Sequence, residues 1–256
     1  AGFTHDRQAR EIGVSAVYDN PDSDQKLGIL WSHRKAGPNS GLFTDGSGNS
    51  ISSSLSLIDF FYQKYWDTFS LAIEVPYIDG DIKSTTHTGF KPAAYIAELG
   101  LEPNDSFKFS LKGGYVSGDT DNDSTLESMN LNPNYKISKL MFHYNLDAVE
   151  DTNAGNIYDA SVTNTTFARL GTNYMSGAWN WKLGILWAQA NEVIASQSKD
   201  LGIEGSLEFE YLWNPKLSVS GFLAYHLAGK YYETSTSGNL SIKNPIGGGL
   251  AVNLEL

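Results

Sequence analysis

The chain has 256 residues, with 18 basic and 29 acidic side chains, a formal net charge of -11 and no cysteine. That balance argues against non-specific nucleic-acid binding, and the missing cysteines exclude a disulfide framework and any thiolate-held metal or cluster. Mean hydropathy is -0.30 and no run approaches the ~18 apolar residues of a membrane helix, yet a membrane β-barrel would read the same way because half of each strand is polar.

Strand-period alternation begins at residue 10. Ile12, Val14, Ala16 and Tyr18 share a face over 10 to 19, and the turn Asn20-Pro21-Asp22-Ser23-Asp24 leads into 26 to 34, where Leu27, Ile29 and Trp31 align. A polar connection over 35 to 52 precedes 54 to 66, with Ile58, Phe60, Tyr62 and Trp66 on the apolar face. A tight turn at Trp66-Asp67-Thr68 returns the chain along 69 to 78, and the next pair is 91 to 101 and 106 to 117, joined at Pro103-Asn104-Asp105. The longest connection, 118 to 161, carries the apolar run Leu140-Met141-Phe142, which has no reason to face water. It is therefore expected to fold into the lumen and partly occlude it.

Beyond it, 163 to 175 and 178 to 190 form another pair with Ser176-Gly177 between them, followed by the clearest hairpin of the chain. Over 200 to 212 Leu201, Ile203, Leu207, Phe209 and Tyr211 oppose Glu204, Ser206, Glu208 and Glu210. After Trp213-Asn214-Pro215-Lys216, residues 217 to 228 repeat the pattern, and 246 to 256 completes the set. Short and long connections alternate throughout. Aromatics sort to both strand ends: Tyr18, Trp66, Phe69, Tyr174, Trp179, Tyr211 and Trp213 near short turns, Trp31, Tyr77, Tyr115, Trp187 and Tyr225 near long connections. Tight turns on one side and two aromatic girdles are the marks of an outer-membrane barrel, whereas a soluble sandwich has no cause to sort its rings this way.

The expected fold is therefore all-β, one antiparallel transmembrane barrel over residues 1 to 256 with 11 strands visible. Such single-chain barrels have an even strand number, so the closed barrel is expected to hold 12 or more, with at least one N-terminal strand outside this sequence or supplied by a partner chain. Counting Lys136 to Leu146 as a strand would restore parity but would place every later tight turn on the opposite side.

Residues 113 to 135, GGYVSGDTDNDSTLESMNLNPNY, resemble the strand end, acidic loop and Asn-Pro or Asp-Pro segment of the alginate-export (AlgE-type) outer-membrane barrels. The resemblance extends over about residues 91 to 256. It departs at Asn132-Pro133, which follows a Leu where the family often has Phe-Asp-Pro, and in a lumen less basic than that of an alginate conduit. It implies a passive channel in the outer membrane of a Gram-negative bacterium.

Alternation places Lys108, Lys112, Arg169 and Lys182 on the inner face as a basic patch lining the pore, flanked by pore-lining acids Glu74, Glu98, Glu204, Glu208 and Glu210. Opposed charge stripes of this kind select solutes by charge, or else pair across strands and fill the interior. Asp119, Asp121 and Asp123 have calcium-loop spacing, but Ser124 stands where a sharp turn wants Gly and Asn130 where a bidentate Glu belongs. No Gly-x-Ser-x-Gly elbow exists, and His33, His143 and His226 have no visible catalytic partners, so no enzyme activity and no cofactor are expected.

The function expected is a porin-like channel for diffusion or export of hydrophilic, anionic solutes such as acidic saccharides. The alternative is a non-conducting barrel serving as a wall or docking subunit of an envelope complex. Expected partners are membrane lipid, lipopolysaccharide and the solute.

Overall fold

The computed structural model describes residues 9–37, 51–83, 88–119, 123–144, 160–193, 197–235, 238–239 and 243–254. Eleven long strands appear where alternation predicts them. They are β1 (Arg10–Asn20), β2 (Gln25–Ala36), β3 (Ser53–Trp66), β4 (Phe69–Ile82), β5 (Ala94–Asn104), β6 (Phe107–Val116), β7 (Thr165–Ser176), β8 (Trp179–Ala190), β9 (Asp200–Asn214), β10 (Leu217–Ala228) and β11 (Ile246–Leu254). Each pairs antiparallel with its neighbour in chain order, and with the two-residue strands Gly89–Phe90 and Thr125–Leu126 they make one 13-stranded sheet. β1 and β11 lie at the two ends of the strand order. No helix among the described residues is long and apolar enough to cross a membrane, which says nothing of strands.

The tight turns are built by side chains that satisfy backbone donors. Asn20 accepts from the Asp22 N–H, Asn104 from Ser106 and Phe107, and Asn214 from Lys216. Gly177 takes φ 57° at the β7–β8 turn, a conformation that glycine adopts without steric cost.

One face of the sheet carries a continuous apolar, exposed band across the eleven long strands. Leu170, Leu183, Ile185, Leu223 and Leu250 are all more than half exposed, as only a lipid-facing surface tolerates on this scale. Both aromatic girdles lie on it, with Phe107–Tyr174 and Trp179–Tyr211 ring centroids 4.7 and 4.6 Å apart at the short-turn end.

One sequence expectation needs correction. Leu201 does not join the outward set: it is 5% exposed and packs inside. Gly202 has φ 99° and the β8–β9 register slips between Ala188 and Gln189, so one extra residue turns Leu201 to the other face. Residues 136–144 form no strand, which removes the alternative parity.

The core lies inside the sheet at its long-connection end. Ala94, Ile96, Val116, Phe167, Leu186, Ala188, Ala190 and Leu201 of the wall meet Leu131, Ile137, Met141 and Val162 of the longest connection. Met141 is fully buried and Ile137 is 2% exposed. The apolar run inside that connection thus has its shelter on the inner face, as its composition demands.

Candidate functional site

Cross-strand register sets the inner-face charges in rings. Glu98, Lys112, Arg169, Leu186, Glu204 and His226 stand directly opposite one another across β5 to β10. Two residues nearer the short turns comes a ring of small residues, Gly100, Ser110, Gly171, Gly184, Ser206 and Ala224. Below it lie Lys108, Asn173, Lys182 and Glu208. Small residues in the middle ring leave space between the charged ones. A Cβ added at Gly184 would sit 2.8 Å from Arg169 Nη2, and one at Gly171 would sit 3.0 Å from Nη1, so the guanidinium lies over bare backbone.

A cavity of about 370 Å³ opens over this floor, lined by all four predicted basic residues together with Glu98, Glu102, Ser110 and Asn173. The patch is therefore brought together. Two of its members are neutralised on the spot: Lys112 pairs with Glu98 at 2.5 Å and Lys108 with Glu102 at 2.8 Å. Among the described residues no carboxylate lies within ion-pair distance of Arg169 or Lys182. The Asn173 side-chain oxygen, buried in the same wall, has no hydrogen-bond partner among the described residues.

The acidic residues divide by role. Glu204 is 2% exposed, and its carboxylate accepts the backbone N–H groups of Lys139 at 2.6 Å, Leu140 at 3.1 Å and Met141 at 2.7 Å. Three amides on one carboxylate form a charge-assisted clasp that fixes the inward segment to β9. Glu208 pairs with the Lys139 ammonium at 2.7 Å. A second clasp is made by Tyr135, whose hydroxyl donates to Glu98 at 3.3 Å while the Lys112 ammonium lies 4.8 Å over its ring. Burial, reinforced by the Glu98 charge, pushes the Tyr135 phenol above its ordinary range and keeps it a donor. Glu74 stands on the inner face of β4 opposite Ile96, and Glu210 beside Asn180 on β8. Neither has an ion pair among the described residues.

The remaining candidates are dispersed. Asp123 closes a local turn by accepting from Thr125 N–H at 2.6 Å, and Asp121 lies outside the described residues. Among the described residues no group of three His, Asp or Glu could hold a metal ion, and Asp119 is not part of one. His226 is fully buried and its Nε2 meets the Leu201 carbonyl at 2.9 Å. His33 has a partner that its sequence neighbours do not reveal, Ser56 Oγ at 2.9 Å on the next strand. Sequence reasoning also missed Tyr135 and Lys139, because a connection without periodicity gives no face to assign them to. The small-residue ring was visible in principle as Gly and Ser at inward positions of one height.

No protein-family profile and no characterised protein sequence matches the chain. Solved structures do. CdiB from Acinetobacter baumannii aligns with a TM-score of 0.53 and 12% identity over 96% of this chain and 41% of that one. The NanC porin aligns at 0.39 and 9% identity over 98% and 95%, and the outer membrane transporter YddB from Escherichia coli at 0.46 and 10% over 95% and 36%. This chain thus spans less than half the length of CdiB and of YddB. At these identities the likeness is one of fold, and the fold is that of outer-membrane β-barrels.

Proposed function

We propose that this outer-membrane barrel is a channel for hydrophilic, anionic solutes, closed in the described state by residues 129–142 folded against its inner wall. The observation that carries the reading is the pair Arg169 and Lys182, cations without a carboxylate ion-pair partner among the described residues, on a cavity of about 370 Å³. Unpaired cations on a concave wall attract anions and repel cations, and rings of such side chains are how pores discriminate. The resemblance of residues 113 to 135 to alginate-export barrels supports acidic saccharides as the solute class, carried by diffusion or export across the outer membrane of a Gram-negative bacterium. The second reading, a non-conducting wall or docking subunit, is favoured by the close packing of the inward segment, whose Met141 has no exposed surface.

Planar-bilayer conductance separates the two. The parent should conduct weakly, and replacing residues 129–142 by a short Gly-Ser linker should raise conductance and make it anion-preferring. A folded replacement variant that passes no current would establish the non-conducting reading instead.

A further inference from the structure

The outward face of β1–β4 changes character at the long-connection end. The girdle row Val14, Trp31, Ile58 and Tyr77 is apolar and aromatic. Directly above it comes Ile12, His33, Ser56 and Asp79, and above that Arg10, Lys35, Ser54 and Asp81. His33 shares the outward face with Trp31, since the two rings stack with centroids 6.4 Å apart and planes at 11°. At about 3.4 Å of rise per residue, Arg10 and Lys35 stand roughly 13 Å along the strands beyond the girdle. With a strand tilt of about 40° this is roughly 10 Å along the membrane normal, within reach of lipid headgroups.

Arg10 and Lys35 are directly opposite each other, both exposed, and neither has an ion pair among the described residues. Like charges facing across a strand pair destabilise the sheet unless an anion sits between them. The Ser54 and Ser56 hydroxyls and the His33 ring extend the donor surface, while Asp79 and Asp81 bound it on the β4 side.

We propose that this rim is a docking surface for the phosphate groups of a membrane lipid of the lipid A class, with Arg10 and Lys35 as the phosphate ligands. Arg presents its guanidinium fork to phosphate oxygens, and Lys adds a point charge beside it. The occupant is membrane-borne because the row lies at headgroup height on the lipid-facing side, continuous with the girdle. The inference rests on the outer-membrane reading and not on the channel reading.

The test uses the purified chain in neutral detergent, titrated with micelles doped with bis-phosphorylated lipid A and followed by native mass spectrometry and by the heat-unfolding midpoint. Arg10→Ser combined with Lys35→Ser should weaken binding by about 30-fold, at roughly 5-fold per cation near a charged membrane surface. Asp79→Ser combined with Asp81→Ser should tighten it. The phosphate-free lipid A analogue should bind the parent no better than the Arg10/Lys35 variant. Equal affinity of parent and variant overturns the proposal, as does stabilisation of the parent by inorganic phosphate matching that by the lipid. Both variants change exposed side chains, and the heat-unfolding transition reports that each is folded. A conductance null in the channel experiment leaves this binding curve unaffected, so the two readings fail separately.

Discussion

Glu204 shows how little of a residue's role is contained in its own strand. Alternation places it on the inner face, and the same pattern gives Glu208 and Glu210 no different task. Only the returning connection makes it a clasp, by bringing three amides to one carboxylate. Glu204→Ala removes the acceptor from all three, and each buried donor left unpaired costs about 1–3 kcal/mol. The inward segment should detach, read as a several-fold rise in conductance and as proteolytic cleavage between residues 136 and 144 in a barrel still resistant elsewhere. An unchanged digestion pattern would show that apolar packing and the Tyr135 and Lys139 contacts hold the segment without the Glu204 clasp. His143 supplies a pH response of definite sign. Burial, with the charges of Lys136 and Lys139, holds its imidazole below the ordinary 6.5, and its Nδ1 has no hydrogen-bond partner among the described residues. The docked segment therefore prefers neutral histidine, while the detached segment takes up a proton near 6.5. Docking is at full strength above that pH and weakens as pH falls through it. Conductance should rise between about pH 7.5 and about pH 5.5, and His143→Gln should flatten the rise.

At the scale of elements the two faces of one strand make opposite demands. Leu183 on β8 is 53% exposed on the outward side, and Ser206 on β9 belongs to the inner small-residue ring. Leu183→Arg should cost about 2–4 kcal/mol of barrel stability, and Ser206→Arg far less, because only the first charge meets hydrocarbon. Urea titration of the folded barrel in lipid vesicles measures both, and equal costs would point to a water-facing exterior. Strands of this kind are legible in sequence because their period of two survives wherever one face is lipid and the other is not. Residues 10 to 19 and 217 to 228 were read to within two residues. Leu201 was misread for a physical reason: alternation assumes one residue per pleat, and the Gly202 bulge inserts an extra one. The clasp residues Tyr135 and Lys139 were illegible because their partners, Glu98 and Glu208, lie on strands distant in sequence. The basic patch was legible because all four cations sit at inward positions of three adjacent strands, Lys112 and Arg169 at one level and Lys108 and Lys182 four residues nearer the short turns, though the particular couples that neutralise two of them were not.

On the proposed channel reading the whole molecule sets two barriers in series, the apolar packing of residues 129–142 at the long-connection end and a charged cavity nearer the short turns. Selectivity therefore becomes measurable only once the closure is released, and the Glu204→Ala background is the place to look. The cavity lining holds four cations, Lys108, Lys112, Arg169 and Lys182, against two carboxylates, Glu98 and Glu102, an excess of two positive charges despite the chain's net charge of -11. The excess belongs to Arg169 and Lys182, since the lysines at 108 and 112 are each matched by a carboxylate. Reversal potentials under a KCl gradient should accordingly show anion preference in that background. Arg169→Gln combined with Lys182→Gln should abolish it by bringing the lining to neutrality. The preference should be largest below about 0.1 M salt and fade as the screening length drops from roughly 10 Å toward 3 Å. If Glu74 and Glu210 instead dominate the conducting path, the background variant will already prefer cations and the double substitution will only strengthen that preference. That outcome would remove acidic saccharides as the solute class while leaving the barrel and its closure as they stand.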